Sequence, residues 1–239
     1  MGDEPAWERF LGLWGLVMAA LSLALVVTAL GVVGFADSDS ARGEQYAELL
    51  QAARAPIGYR LYTLFDGLGW AAIGVSLVAL GAITRRTSPV LSGLAIAAGI
   101  CQVLGSTGGF LRMVGTGELG RSFGSADSSA QTALMNQFDA IAAVVNALFT
   151  LGDVLQGAGW LMVGVAVLAA GRLPRWLAYL LLAAGVTSSL LGWTTIVGLP
   201  FFFPMLLVHV TLLLPAIGIG LAVTLWWRQR EATATRAAS

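Results

Sequence analysis

The chain has 239 residues, of which 57% are hydrophobic and only 11% charged. With a mean hydropathy of +0.82 it has the composition of a polytopic membrane protein, because soluble domains carry roughly 25% charged residues. The formal net charge of zero leaves no basic surplus to hold phosphates, which excludes a nucleic-acid partner.

All 13 basic residues are arginine, so chemistry through a Schiff-base lysine is excluded. The one cysteine, Cys101, and the one histidine, His209, make neither an intrachain disulfide nor a zinc or two-histidine haem site. No metal and no cofactor is expected. The arginine-only basic set among abundant Ala, Gly and Val suggests a GC-rich bacterial genome. The start, Met1-Gly2-Asp3-Glu4-Pro5, lacks the basic region and cleavage site of a signal peptide, so the first apolar run is expected to be retained.

Span one is expected over 10–34, above the roughly 20 residues that cross a bilayer. Residues 35–58 form an outer loop that holds Asp37, Asp39, Glu44 and Glu48, with a short surface helix over 40–55 ended by Pro56. Span two covers 59–83, and Tyr59, Tyr62, Asp66 and Trp70 share one of its faces. An interfacial belt accounts for Tyr59 and Tyr62, but not for Asp66, two turns further in. After a tight turn with Arg85 and Arg86, span three covers 90–114. Its face of Ser92, Ala95, Gly99, Gln102, Ser106 and Gly109 is the small-residue pattern of close helix packing. Arg112 near its end either snorkels to the headgroups or pairs with an aspartate.

The Gly- and Ser-rich segment 115–130 reads as a loop, and the outer connection is expected over 115–135. The proline-free stretch 131–171 is too long for one straight span, since it would reach roughly 60 Å. Either its first third projects beyond the membrane, or it lies along the interface and bends inward near Gly152 or Gly157. Its spanning part is 148–170. On it Asp139, Asn146, Asp153 and Trp160 recur every seven residues, with Thr150, Gln156 and Gly157 beside them. Span five, over 176–197, carries the packing residues Gly185, Ser188, Ser189 and Gly192. Span six, over 203–227, contains His209 and Pro215. Pro215 cannot donate to the Thr211 carbonyl, so a kink is expected. The tail 229–239 is expected to be disordered.

The fold expected is therefore all-α: a six-span bundle in one membrane domain over 1–239, with a long fourth helix. Eight arginines (9, 85, 86, 172, 175, 228, 230 and 236) lie on the side of the termini, which places both termini in the cytoplasm of a bacterial inner membrane. The turn Leu173-Pro174-Arg175-Trp176, preceded by a span with Asp153 in its outer half, resembles a family of uncharacterised bacterial six-span membrane proteins with a Pro-Arg-aromatic turn before span five. The resemblance implies six helices and no chemistry.

A charge at a helix centre costs roughly 2.5–3.5 kcal/mol, so Asp66 and Asp153 are expected to share a pocket rather than face lipid. The pocket should open outward, between spans two, three, four and six. Its ligand-binding residues are Tyr62, Trp70, Gln102, Arg112, Asn146, Gln156, Trp160 and His209. A desolvated carboxyl holds its proton more tightly and can transfer it, so Asp153 and Asp66 are the candidate catalytic groups. Aromatic side chains, among them Phe201 to Phe203, could stabilise a cationic intermediate. The first expectation is a site that binds or converts a lipophilic small molecule, as an isomerase or cyclase does. A proton-coupled transporter and a non-catalytic accessory subunit are the alternatives. Membrane lipids are the expected surroundings, and the oligomeric state stays open. The phosphate-loop, serine-elbow and His-Glu-x-x-His motifs of soluble enzymes are absent.

Overall fold

The computed structural model describes residues 4–29, 41–171, 173–197 and 202–237. The expectations for the end of span one, the loop at 35–40, the turn at 198–201 and the rings of Phe201 to Phe203 lie outside what is described. Among the described residues the chain is entirely helical, with no strand. In order the elements are α1 (Glu4–Thr28), α2 (Ala41–Arg54), α3 (Pro56–Thr84), α4 (Pro89–Gly105) and α5 (Thr107–Phe123). They continue with α6 (Ser128–Ala170), α7 (Arg175–Val197), α8 (Phe202–Val208), a π-helical turn (His209–Leu213) and α9 (Leu214–Ala237).

Six segments are long and apolar enough to cross a bilayer: α1, α3, α4 with α5, α6, α7, and the run from α8 through α9. Glu8 near the start of α1 pairs with Arg228 near the end of α9 at 3.3 Å, so the two termini share one end of the bundle.

The hairpins follow from small residues that let backbones meet. A Cβ placed on Gly74 of α3 would lie 2.6 Å from the Gly99 carbonyl oxygen of α4, and Gly109 of α5 lies against the backbone of Gly67. The expected small-residue face of span three is therefore the surface that seats α3. On α7, Gly185 packs on Leu161 and Gly192 on Val154, which docks α7 along α6. The α6–α7 turn is closed by Gly171 at φ +61°, a left-handed conformation that favours glycine, its N–H bonded to the Val167 carbonyl.

Two expectations are corrected. The segment 115–130 is not a loop: α5 runs to Phe123 and α6 begins at Ser128. Its glycines serve contact rather than turning, with Gly115 against Ile141 and Gly120 against Ala52 of α2. The real connection is short and ends in Asp127. This residue caps α6 by accepting from the Ser129 and Ala130 N–H groups, and those bonds hold its carboxyl below the usual range. Of the tail expected to be disordered, residues 229–237 continue α9 to Ala237, in a run without Gly or Pro.

α6 is one helix of 43 residues. Its first third stands with α2 and α5 around Leu49, Phe123 and Phe138, a small apolar cap at the end of the bundle opposite the termini, termed the outer end below. At the inner end Leu77, Leu80, Trp160, Val163, Leu177, Leu181, Ile217 and Leu221 form the packed core. The space between cap and core is not filled.

Candidate functional site

A cavity of about 910 Å³ occupies that space. α1 contributes Ser22, Leu25 and Val26 to it, and α6 contributes a long strip from Phe138 to Gln156. Residues of α2, α3, α5, α7 and α8, the π-helical turn and Leu214 of α9 complete the wall. Most of the lining is apolar. The polar residues fall into two groups, one at the outer end and one on the floor.

The outer group is built on charge. Arg112 of α5 donates through Nε to Glu48 Oε1, and its Nη1 lies 3.8 Å from Asp66 Oδ2. Its guanidinium carbon sits 5.4 Å from the centre of the Tyr62 ring. Glu48 also accepts from the Tyr59 hydroxyl, and Asp66 Oδ1 accepts from Trp70 Nε1 at 3.1 Å. Arg112 thus pairs with acids instead of snorkelling. Tyr59 is fully buried and serves as a bridge to α2, not as an interfacial anchor. On α6, Asp139 Oδ2 accepts from the Tyr46 hydroxyl at 3.4 Å.

The floor network joins α4, α6, α7 and the π-helical turn. Gln156 Oε1 accepts from Gln102 Nε2 at 3.2 Å, while Gln156 Nε2 donates to Ser188 Oγ and His209 Nε2, both at 2.9 Å. Because His209 Nε2 accepts, the bonds of Gln156 assign the imidazole proton to Nδ1, which donates to Thr187 Oγ1 at 2.9 Å. His209 projects from the π-helical turn. That turn is where Pro215 makes itself felt: the expected kink takes the form of a widened turn, closed by Leu214 N–H on the His209 carbonyl.

One turn above Gln156, Asp153 faces the cavity. It is 6% exposed, and among the described residues no side chain donates to it or pairs with it. Asp66 lines the same cavity. Trp70 and Phe149, ring centres 5.1 Å apart and tilted by 34°, form an aromatic part of the wall.

Asp153, Asp66, Tyr62, Trp70, Arg112, Asn146, Gln156 and His209 all line this cavity, on α3, α5, α6 and the π-helical turn. Gln102 and Trp160 do not. Gln102 is fully buried behind α6 and reaches the floor only through Gln156. Trp160 is fully buried in the apolar core, where its Nε1 has no partner among the described residues. Two turns below Asp153, the seven-residue row has passed beneath the floor. The sequence reading assigned no site role to Glu48, Thr187, Ser188 and the α1 residues. Glu48 is one of several acids in a polar segment, and only the docking of α2 selects it. Ser188 sits in a row of small packing residues and looked like one of them.

A family model described as a domain of unknown function (DUF4386) matches residues 17–227. No curated protein and no solved structure matches the chain.

Proposed function

The chain belongs to that family, a premise that assigns no chemistry, and from the site alone we propose that the cavity binds a lipophilic small molecule for proton transfer at Asp153. The observation that carries this reading is Asp153 itself, a buried carboxyl that faces a cavity of about 910 Å³ and has no partner among the described residues. A fastening aspartate is bonded to the helices it joins, whereas this one is turned toward the cavity. Asp66 differs, since Trp70 and Arg112 already hold it. Asp153 is thus the acid–base group and Asp66 the orienting charge.

The apolar lining suits a hydrocarbon body, and Trp70 and Phe149 offer ring faces to positive charge that develops on it. A carboxyl that gives a proton at one carbon and takes one from another completes an isomerisation or cyclisation with no further reagent. The packed core under the Gln156–His209 floor favours binding at one end over passage through the bundle, which is why transport is the weaker reading. The arginine distribution supports a bacterial cytoplasmic membrane with the cavity on the outer side.

Native mass spectrometry of gently purified protein tests the reading. The wild type should retain a lipophile that Asp153→Asn releases without loss of fold. A wild type that retains none, together with an Asp153→Asn variant altered only in stability, would overturn it.

A further inference from the structure

The acids that line the cavity outnumber its bases. Among the described residues, Glu48, Asp66 and Asp153 share one guanidinium, that of Arg112. Arg112 is already committed to Glu48 and Asp66, and Asp139 takes the Tyr46 hydroxyl. The nitrogens of the other candidate, His209, bond to Gln156 and Thr187, so the imidazole offers no free donor to an anion. What remains is Asp153, 6% exposed, without a partner among the described residues and turned into the cavity. An anionic ligand would meet these acids unfavourably, and a neutral one would leave Asp153 to keep its proton. A cation would offset the charge of its carboxylate.

We propose that the ligand is an organic cation with apolar substituents, its charge beside Asp153 and its substituents against Trp70 and Phe149. The inference rests on the reading of the cavity as a ligand site and names the class of ligand. The aromatic wall fits this role, because ring faces attract positive charge while tolerating apolar groups. The same wall has a nearby precedent: the Tyr62 ring carries the Arg112 guanidinium at 5.4 Å. Apolar substituents match the lining better than the shell of water that a small metal ion keeps.

Three probes of similar size and different charge test the proposal: tetraphenylphosphonium, triphenylphosphine oxide and tetraphenylborate. Each is titrated into the full chain in lipid nanodiscs, with empty nanodiscs to subtract partitioning into lipid. Saturable binding of the phosphonium should exceed that of the neutral oxide by about tenfold or more. Asp153→Asn should remove most of that preference, and Asp153→Glu should restore part of it. If the oxide or the borate binds the wild type as well as the phosphonium does, the charge inference is wrong and the lipophile reading stands. If Asp153→Asn folds and binds the phosphonium as the wild type does, Asp153 is not the counter-charge and the inference is wrong on that ground. If no probe saturates and purified wild type retains no lipophile, both readings fall together. The comparison of the three probes on the wild type decides even if the variant fails to fold.

Discussion

Replacing Arg112 with methionine is the most informative test of how the outer end of the cavity is held. The stem of Arg112 is kept in volume, but its guanidinium is lost from Glu48, Asp66 and the Tyr62 ring. Removing one partner of a buried pair costs about 3–5 kcal/mol, because the other charge is left behind. The side chains of Arg112, Glu48 and Asp66 are 22%, 26% and 11% exposed. Water reaches the group in part, which places the cost near the lower end, about 3 kcal/mol. Glu48→Gln keeps an acceptor for Tyr59 and Arg112 and loses only the charge, for about 1–2 kcal/mol. In that background Arg112→Met strands one carboxylate instead of two, so the double variant should fall short of the sum by about 1–2 kcal/mol. Equilibrium unfolding in mixed micelles, followed by tryptophan fluorescence, measures all four corners of the cycle. A cost for Arg112→Met within about 0.5 kcal/mol, the range of ordinary surface changes, would refute the clamp. Strict additivity would refute the pairing with Glu48.

Three further variants have expected outcomes in the same assay. Gly74→Val should destabilise by about 1–3 kcal/mol or more, since its Cβ meets the Gly99 carbonyl oxygen at 2.6 Å and Val103 at 2.8 Å. Gly93→Ala, with nothing within 4 Å, should stabilise α4 by up to about 1 kcal/mol, and equal effects at the two sites would show that the α3–α4 contact is misread. Gln156→Leu should cost on the order of 2–4 kcal/mol, because Gln102, Ser188 and His209 each lose a buried bond. A neutral effect there would mean that the floor network does not hold the helices.

The spans, the small-residue faces and the polar row on α6 were legible in the sequence because each is a local, periodic consequence of the solvent. Hydrocarbon demands runs of apolar residues, close helix contact demands small ones, and buried carboxyls must gather out of lipid. That logic also brought Asp66, Asp153, Arg112, Gln156 and His209 to one place. It failed at residues 115–130, where glycine has two uses, turning and contact, and only the presence of α2 against Gly120 decides between them. It failed again at Trp160. A seven-residue row says which face a residue shares and not where a cavity stops.

The sequence by itself therefore determined the number of spans and the helix faces that turn inward. Tertiary structure alone decided which acid meets Arg112, that Ser188 and Thr187 join a network with His209, and that Asp153 is left without a partner among the described residues. The reason is physical. Periodicity is set along one helix by its own geometry, whereas pairing and empty space depend on the depth and rotation of separate helices. These are fixed by contacts between residues far apart in the chain, such as Glu48 and Arg112 or Gln156 and His209.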